Sequence, residues 1–258
     1  MRTVWAILLC LIAPFTAVAQ EARTSVIPIL MAPVEDAAQV AVKVEKGLRS
    51  SKQLRSHELR RARDAMHKGE PVSTAHLRAL AQAGDGLAAQ RYVRILLSAE
   101  PAANPSDIAF YAAQAVGTGR IWTLKPMIEA MHKLSPETEP KERIRKYIRV
   151  LYPHAWAGNS LALDALVAFN GEGRLFGPLS DKTRDRILAQ SRKNGDGRIE
   201  LSLAMAILEV EHQSATPDGQ ALAQARSYLE LAQASDHLAV STPAQNLLRM
   251  IEHSYLSL

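Results

Sequence analysis

Cysteine is almost missing from this chain of 258 residues, and the one present, Cys10, lies inside an apolar N-terminal run. A protein processed beyond that run holds no disulfide and no thiolate nucleophile or ligand. Aromatic residues are equally scarce, at 5%. Runs of β-branched residues are few, which argues against a sheet. Past the first dozen residues no apolar stretch reaches the length of a membrane span. Catalytic signatures are thin too. There is no His-Glu-x-x-His, no Gly-x-x-x-x-Gly-Lys-Ser/Thr phosphate loop and no Gly-x-Gly-x-x-Gly after a strand. The eight histidines show no metal-ligand spacing. No catalytic, cofactor-binding or metal-binding residue is therefore expected.

The opening residues read as a targeting signal. Arg2 supplies the positive end, Thr3 to Ile12 the apolar run, and Ala17-Val18-Ala19 the small-x-small site before Gln20. Leu9 before Cys10 is unsuited to lipoprotein processing. We expect cleavage after Ala19, a periplasmic location, and no membrane-spanning segment once the signal is gone. About 239 residues then remain, ample for a large core.

What the chain has in quantity is alanine, leucine and regularly placed glycine. Hydrophobic residues make up 47%. Gly84, Gly117, Gly158 and Gly195 each stand between two helix-like stretches, 33, 41 and 37 residues apart, and Ser235 continues the series 40 residues later. A period of roughly 35–40 residues with one helical hairpin per period predicts an all-α solenoid. A glycine ends a helix in the left-handed conformation without a Cβ clash. Ala88, Ile121, Ala162, Ile199 and Ala239 follow four residues after each turn, with Tyr92, Leu166 and Leu203 one helical turn further. Those positions share a face and should pack on the preceding helix. Residues 20–33, with Pro28 and Pro33, read as an irregular leader; 34–72 as an N-terminal helical segment; 73–254 as the repeat domain.

Ala79-Leu80-Ala81-Gln82-Ala83-Gly84-Asp85-Gly86-Leu87-Ala88-Ala89 resembles a Sel1-like repeat, a variant of the tetratricopeptide repeat. The likeness extends through Ala157-Gly158-Asn159, then Ala162, Leu166 and Phe169, to Asn170-Gly171-Glu172-Gly173, which is similar to the family's inter-repeat loop. The resemblance implies a right-handed superhelix whose concave side binds a protein, and it implies no catalytic residues. In exported proteins such arrays serve envelope assembly, exopolysaccharide systems or signalling.

Three local motifs suggest chemistry and are better explained without it. Asn194-Gly195-Asp196-Gly197 resembles the middle of a calcium loop, but the register puts Arg192 at the first ligand position and Leu203 at the last. Gly158-Asn159-Ser160-Leu161-Ala162 approaches a nucleophile elbow without the preceding strand or the final glycine. His154 stands alone near a turn and reads as structural.

The net charge is +5 and the isoelectric point about 9.4. Lys52 to Lys68 carries much of it, with Lys52, Arg55, Arg60 and Arg63 as candidate contacts to an acidic surface such as an anionic polysaccharide. No aromatics accompany these cations, which argues against nucleic acid. The few aromatics, Tyr92, Tyr111, Trp122 and Trp156, are the other candidate partner-binding residues, because aromatics carry a large share of interface energy. The expected function is a periplasmic interaction or assembly adaptor with a protein partner. The alternatives are a polyanion-binding accessory and a cell-wall hydrolase, which would need two converging carboxylates.

Overall fold

A computed structural model describes residues 42, 44–99, 103–214 and 216–255, all within the unit Val34–Leu258. The signal and leader expected over 1–33 lie outside the described residues. Among those described there are eleven α-helices and no strand, so the fold is all-α. They are α1 (His57–Lys68), α2 (Thr74–Gln82), α3 (Gly86–Leu97), α4 (Pro105–Gly117) and α5 (Leu124–Met131). Then follow α6 (Lys141–Trp156), α7 (Ser160–Phe169), α8 (Asp181–Asn194), α9 (Arg198–Gln213), α10 (Gly219–Gln233) and α11 (Leu238–Tyr255). Among them no helix is long and apolar enough to cross a membrane.

One turn design recurs. Gly84 and Gly158 both take φ of 94° after a helix. The following residue, Asp85 or Asn159, sends its N–H back to the carbonyl of Leu80 or His154, 3.0 Å in each case. That is the bond pattern of a left-handed glycine stop. The same Asp85 or Asn159 then caps the next helix, its carboxylate or amide oxygen accepting from Ala88 or Ala162 N–H at 3.0 and 2.9 Å. Two consecutive residues thus end one helix and start another. Here the structure corrects the sequence reading. Gly117 is the last residue of α4, and the left-handed glycine of that unit is Gly119, at φ 93°. Arg120 N–H returns to Ala115 at 2.9 Å, completing the same stop.

Other boundaries moved for identifiable reasons. Asn104 caps α4, with Pro105 at the first helical position where its missing N–H costs nothing. Pro126 sits in the first turn of α5, where proline is tolerated, after a short 3-10 turn over Ile121–Thr123. Residues 44–50, read as helical from their apolar spacing, form no helix. Helix α1 begins only at His57, which leaves Lys52 and Arg55 outside it.

Packing follows chain order. Helix α3 packs between α2 and α4; α4 also meets α5 and α6; α6 meets α7; α7 meets α9; α10 lies between α9 and α11. Fully buried alanines stand at these contacts, among them Ala88, Ala112, Ala162, Ala204, Ala225 and Ala244. Small side chains let helix axes approach to about 8 Å. Polar pins tie units together. Tyr111 on α4 is buried and its hydroxyl accepts from Arg78 and Gln82 of α2 at 3.3 and 3.1 Å. Arg143 on α6 donates to Ser106 Oγ at 2.5 Å and to Asp107 at 2.9 Å at the start of α4.

Candidate functional site: a strap across the helix turns

The non-helical residues 44–50 run over the turns that join the helices. Glu45 N–H donates to Gly117 O at 2.7 Å, and Leu48 N–H donates to Gly84 O at 2.9 Å. Each acceptor belongs to a helix end, where carbonyls lack a partner inside their own helix. The strap supplies that partner. Gly47 sits at the point of closest approach. A Cβ there would stand 2.7 Å from Gly84 O and 2.7 Å from Thr118 Cγ2, so no other residue fits without movement. Lys46 and Arg49 point outward, while Leu48 packs against the core.

Charge fixes both ends of the strap. Glu45 reaches α6, its carboxylate 3.1 Å from Arg149 Nε and 3.7 Å from Lys146 Nζ. Lys146 is 9% exposed. Burial pushes the Lys146 ammonium below its ordinary pKa, and Glu45 opposes that shift. At the other end Arg63 holds three groups. It donates to Asp85 Oδ2 at 2.7 Å, to Ser51 Oγ at 3.2 Å and to Leu48 O at 3.2 Å. Asp85 is itself 2% exposed and caps α3. A recess of about 280 Å³ opens beside the strap, floored by Gly84, Asp85, Gly86 and Thr118 and flanked by His67 and Arg120.

The residues singled out from the sequence divide in two. Tyr92 and Tyr111 are core, meeting edge to face at 4.7 Å. Trp122 is 46% exposed with the Arg94 guanidinium 4.5 Å above its ring, and half-buried Trp156 carries Arg186 at 4.4 Å. These two tryptophan–arginine pairs are surface features. Lys52 and Arg55 are exposed. Arg60 is spent on the carbonyls of Leu54 and Arg55 at 2.8 and 3.2 Å, and Arg63 on the strap. The four cations therefore form no single free patch. No family model, no curated protein and no solved structure matches this chain.

The acidic groups near the third and fourth turns are also occupied. Asp164, on α7, has a side chain only 10% exposed, and its pKa rises to about 6 through desolvation, against the pull of Arg198 at 3.5 Å. Arg198 also binds Asp196 at 2.7 Å, so one guanidinium lies on both carboxylates. Asp196, the acidic residue of the calcium-like stretch, additionally accepts Arg198 N–H at 3.0 Å. Burial lowers the pKa of His154, which is 8% exposed on α6. An apolar recess of about 220 Å³ lies between α7, α9 and α10, lined by Val167, Leu203, Ile207, Val210 and Tyr228.

Sequence reasoning gave no role to Glu45, Lys146 or Arg149, and took Gly47 only as weakening a helix. Gly47 was the available signal, because it breaks a helical pattern from within.

Proposed function

We propose that this protein is an exported interaction or assembly adaptor, a Sel1/TPR-like stack of helical hairpins that binds a macromolecular partner through its repeat surface. Helices that pack mainly on their neighbours in sequence, three of them ended by the same left-handed glycine stop, support a right-handed solenoid. One observation carries the reading. The turns already hold a length of non-helical polypeptide, residues 44–50, through main-chain hydrogen bonds and a buried-lysine ion pair. A surface that binds its own chain this way has the chemistry to bind another. The exposed Trp122 under Arg94, and the half-buried Trp156 under Arg186, are anchors of the kind interfaces use. Periplasmic location rests on the signal sequence alone.

Affinity capture from a bacterial envelope fraction, with the full chain as bait, tests this. One stoichiometric protein should be retained, and Trp122→Ala with Trp156→Ala should reduce it at least fivefold. Retention of anionic glycan alone, abolished by moderate salt, would favour the polyanion-binding alternative. Release of fragments from purified cell wall would favour the hydrolase.

A further inference from the structure

The strap meets two successive turns through its main chain. Glu45 and Leu48 are three residues apart and bond to consecutive turns. Both bonds are made by main-chain N–H groups, so they do not depend on the side chains. Side-chain selection comes from three places. Lys146 and Arg149 face a carboxylate at the position of Glu45. The close approach of Gly84 O and Thr118 accepts only glycine two residues later. The core edge takes an aliphatic side chain at the position of Leu48. Lys146 is the informative member. It is more than nine-tenths buried, and the carboxylate it meets comes from the strap rather than from the helices that bury it. A buried ammonium without a counter-charge is costly, so with the strap lifted this site demands an acid.

We propose that the strip formed by the Gly84 and Gly117 turns and by Lys146 and Arg149 is a receptor for an extended partner segment of the form acid-x-Gly-aliphatic, and that Glu45-Lys46-Gly47-Leu48 occupies it as an intramolecular stand-in which the partner displaces. This rests on the adaptor reading and names the partner's chemistry. A tethered segment competes at an effective concentration in the millimolar range. The strap thus sets a threshold: only a partner that is abundant, or that makes further contacts, opens the site.

The probe is a fluorescent nine-residue peptide with the sequence of residues 42–50, titrated by anisotropy into the full-length protein. Wild type should bind it poorly. Gly47→Val, whose side chain cannot pass Gly84 O and Thr118, should release the strap and bind the peptide about 10–100-fold more tightly, the tether having been removed as competitor. A peptide with glutamine at the position of Glu45 should lose about tenfold, as should Lys146→Met in the protein. Amide exchange at Glu45 and Leu48 reports the strap directly. Protection kept in Gly47→Val would overturn the assigned register. Protection lost with no gain in peptide binding would overturn the receptor. Should Gly47→Val fail to fold, Glu45→Ala gives the same comparison with a weaker loosening. A partner captured from the envelope that neither competes with the peptide nor notices Gly47→Val would sink this inference and leave the adaptor standing. Peptide binding with no partner ever captured would do the reverse.

Discussion

Replacing Asp85 by alanine strikes the point where the turn, the helix cap and the strap meet. The Asp85 carboxylate does two jobs. Oδ1 accepts from Ala88 N–H at 3.0 Å, and Oδ2 accepts from Arg63 at 2.7 Å. Loss of the cap costs about 1 kcal/mol. Loss of the counter-charge costs more, because the Arg63 side chain is only 12% exposed and would keep just Ser51 Oγ and Leu48 O. Breaking a buried pair from one side costs about 3–5 kcal/mol, and the remaining two acceptors place this case at the lower end. We expect Asp85→Ala to lose about 3–4 kcal/mol. Urea unfolding followed by far-ultraviolet circular dichroism reads it. With a slope of about 2–3 kcal/mol per molar, the midpoint should fall by about 1–2 M. Asp85→Asn keeps the cap and removes the charge, so it should lose about two-thirds as much. In a double-mutant cycle with Arg63→Met the coupling should exceed about 1.5 kcal/mol. A midpoint within 0.3 M of wild type for Asp85→Ala, on the order of the experimental scatter, would refute the account of the turn.

Other outcomes follow from the same geometry. Gly86→Ala should destabilise by about 1–2 kcal/mol. Its Cβ would lie 1.9 Å from Thr118 Oγ1 and 2.7 Å from Thr118 Cβ, and overpacking of about 1–3 kcal/mol outweighs the gain of up to about 1 kcal/mol in helix propensity; a stabilised variant in urea would count against that contact. Asp164 gives a pH signature. Its folded pKa of about 6 lies above the ordinary 3.8, so the folded state holds the extra proton between those values. Stability should decline as pH rises from about 4 to about 6, by up to about 3 kcal/mol, then level off. Unfolding midpoints across that range should show a slope that Asp164→Asn flattens, and an unchanged slope would remove Asp164 as its source. Tyr147→Phe deletes the hydroxyl that donates to the buried Glu139 carboxylate at 2.7 Å. It should cost about 1–3 kcal/mol in thermal or urea unfolding, whereas no loss would mean that water satisfies Glu139.

Much of the fold was legible because its signals are local. Helix stops and starts depend on glycine followed by aspartate or asparagine, and Gly84-Asp85 and Gly158-Asn159 act as their types suggest. The error at Gly117 has a local cause as well. Gly117 and Gly119 flank one threonine, and choosing between them requires knowing which residue the chain must turn at. The structure shows why both are glycine. Gly119 takes the left-handed conformation, while Gly117 leaves room for Glu45 and for Val150, whose side chains would lie 3.2 and 3.3 Å from a Cβ. Tyr92 and Tyr111 were candidates for a surface because aromatics are rare here. Nothing local distinguishes a tyrosine stacked in a core from one presented to a partner.

The strap shows where reading along the chain stops. Ala41, Val42, Val44 and Leu48 have helical spacing, and periodicity alone favours a helix. The conformation adopted over 44–50 was decided by groups far off in sequence, namely the carbonyls of Gly84 and Gly117 and the cations of α6. The linear sequence determined the helices, the turns that punctuate them and the alanine-rich faces that pack, because each depends on residues within one or two turns of one another. Only the tertiary structure decided that those turns line up into a strip and that Glu45 meets Lys146, because that pairing exists only once helices a hundred residues away have been brought beside the strap.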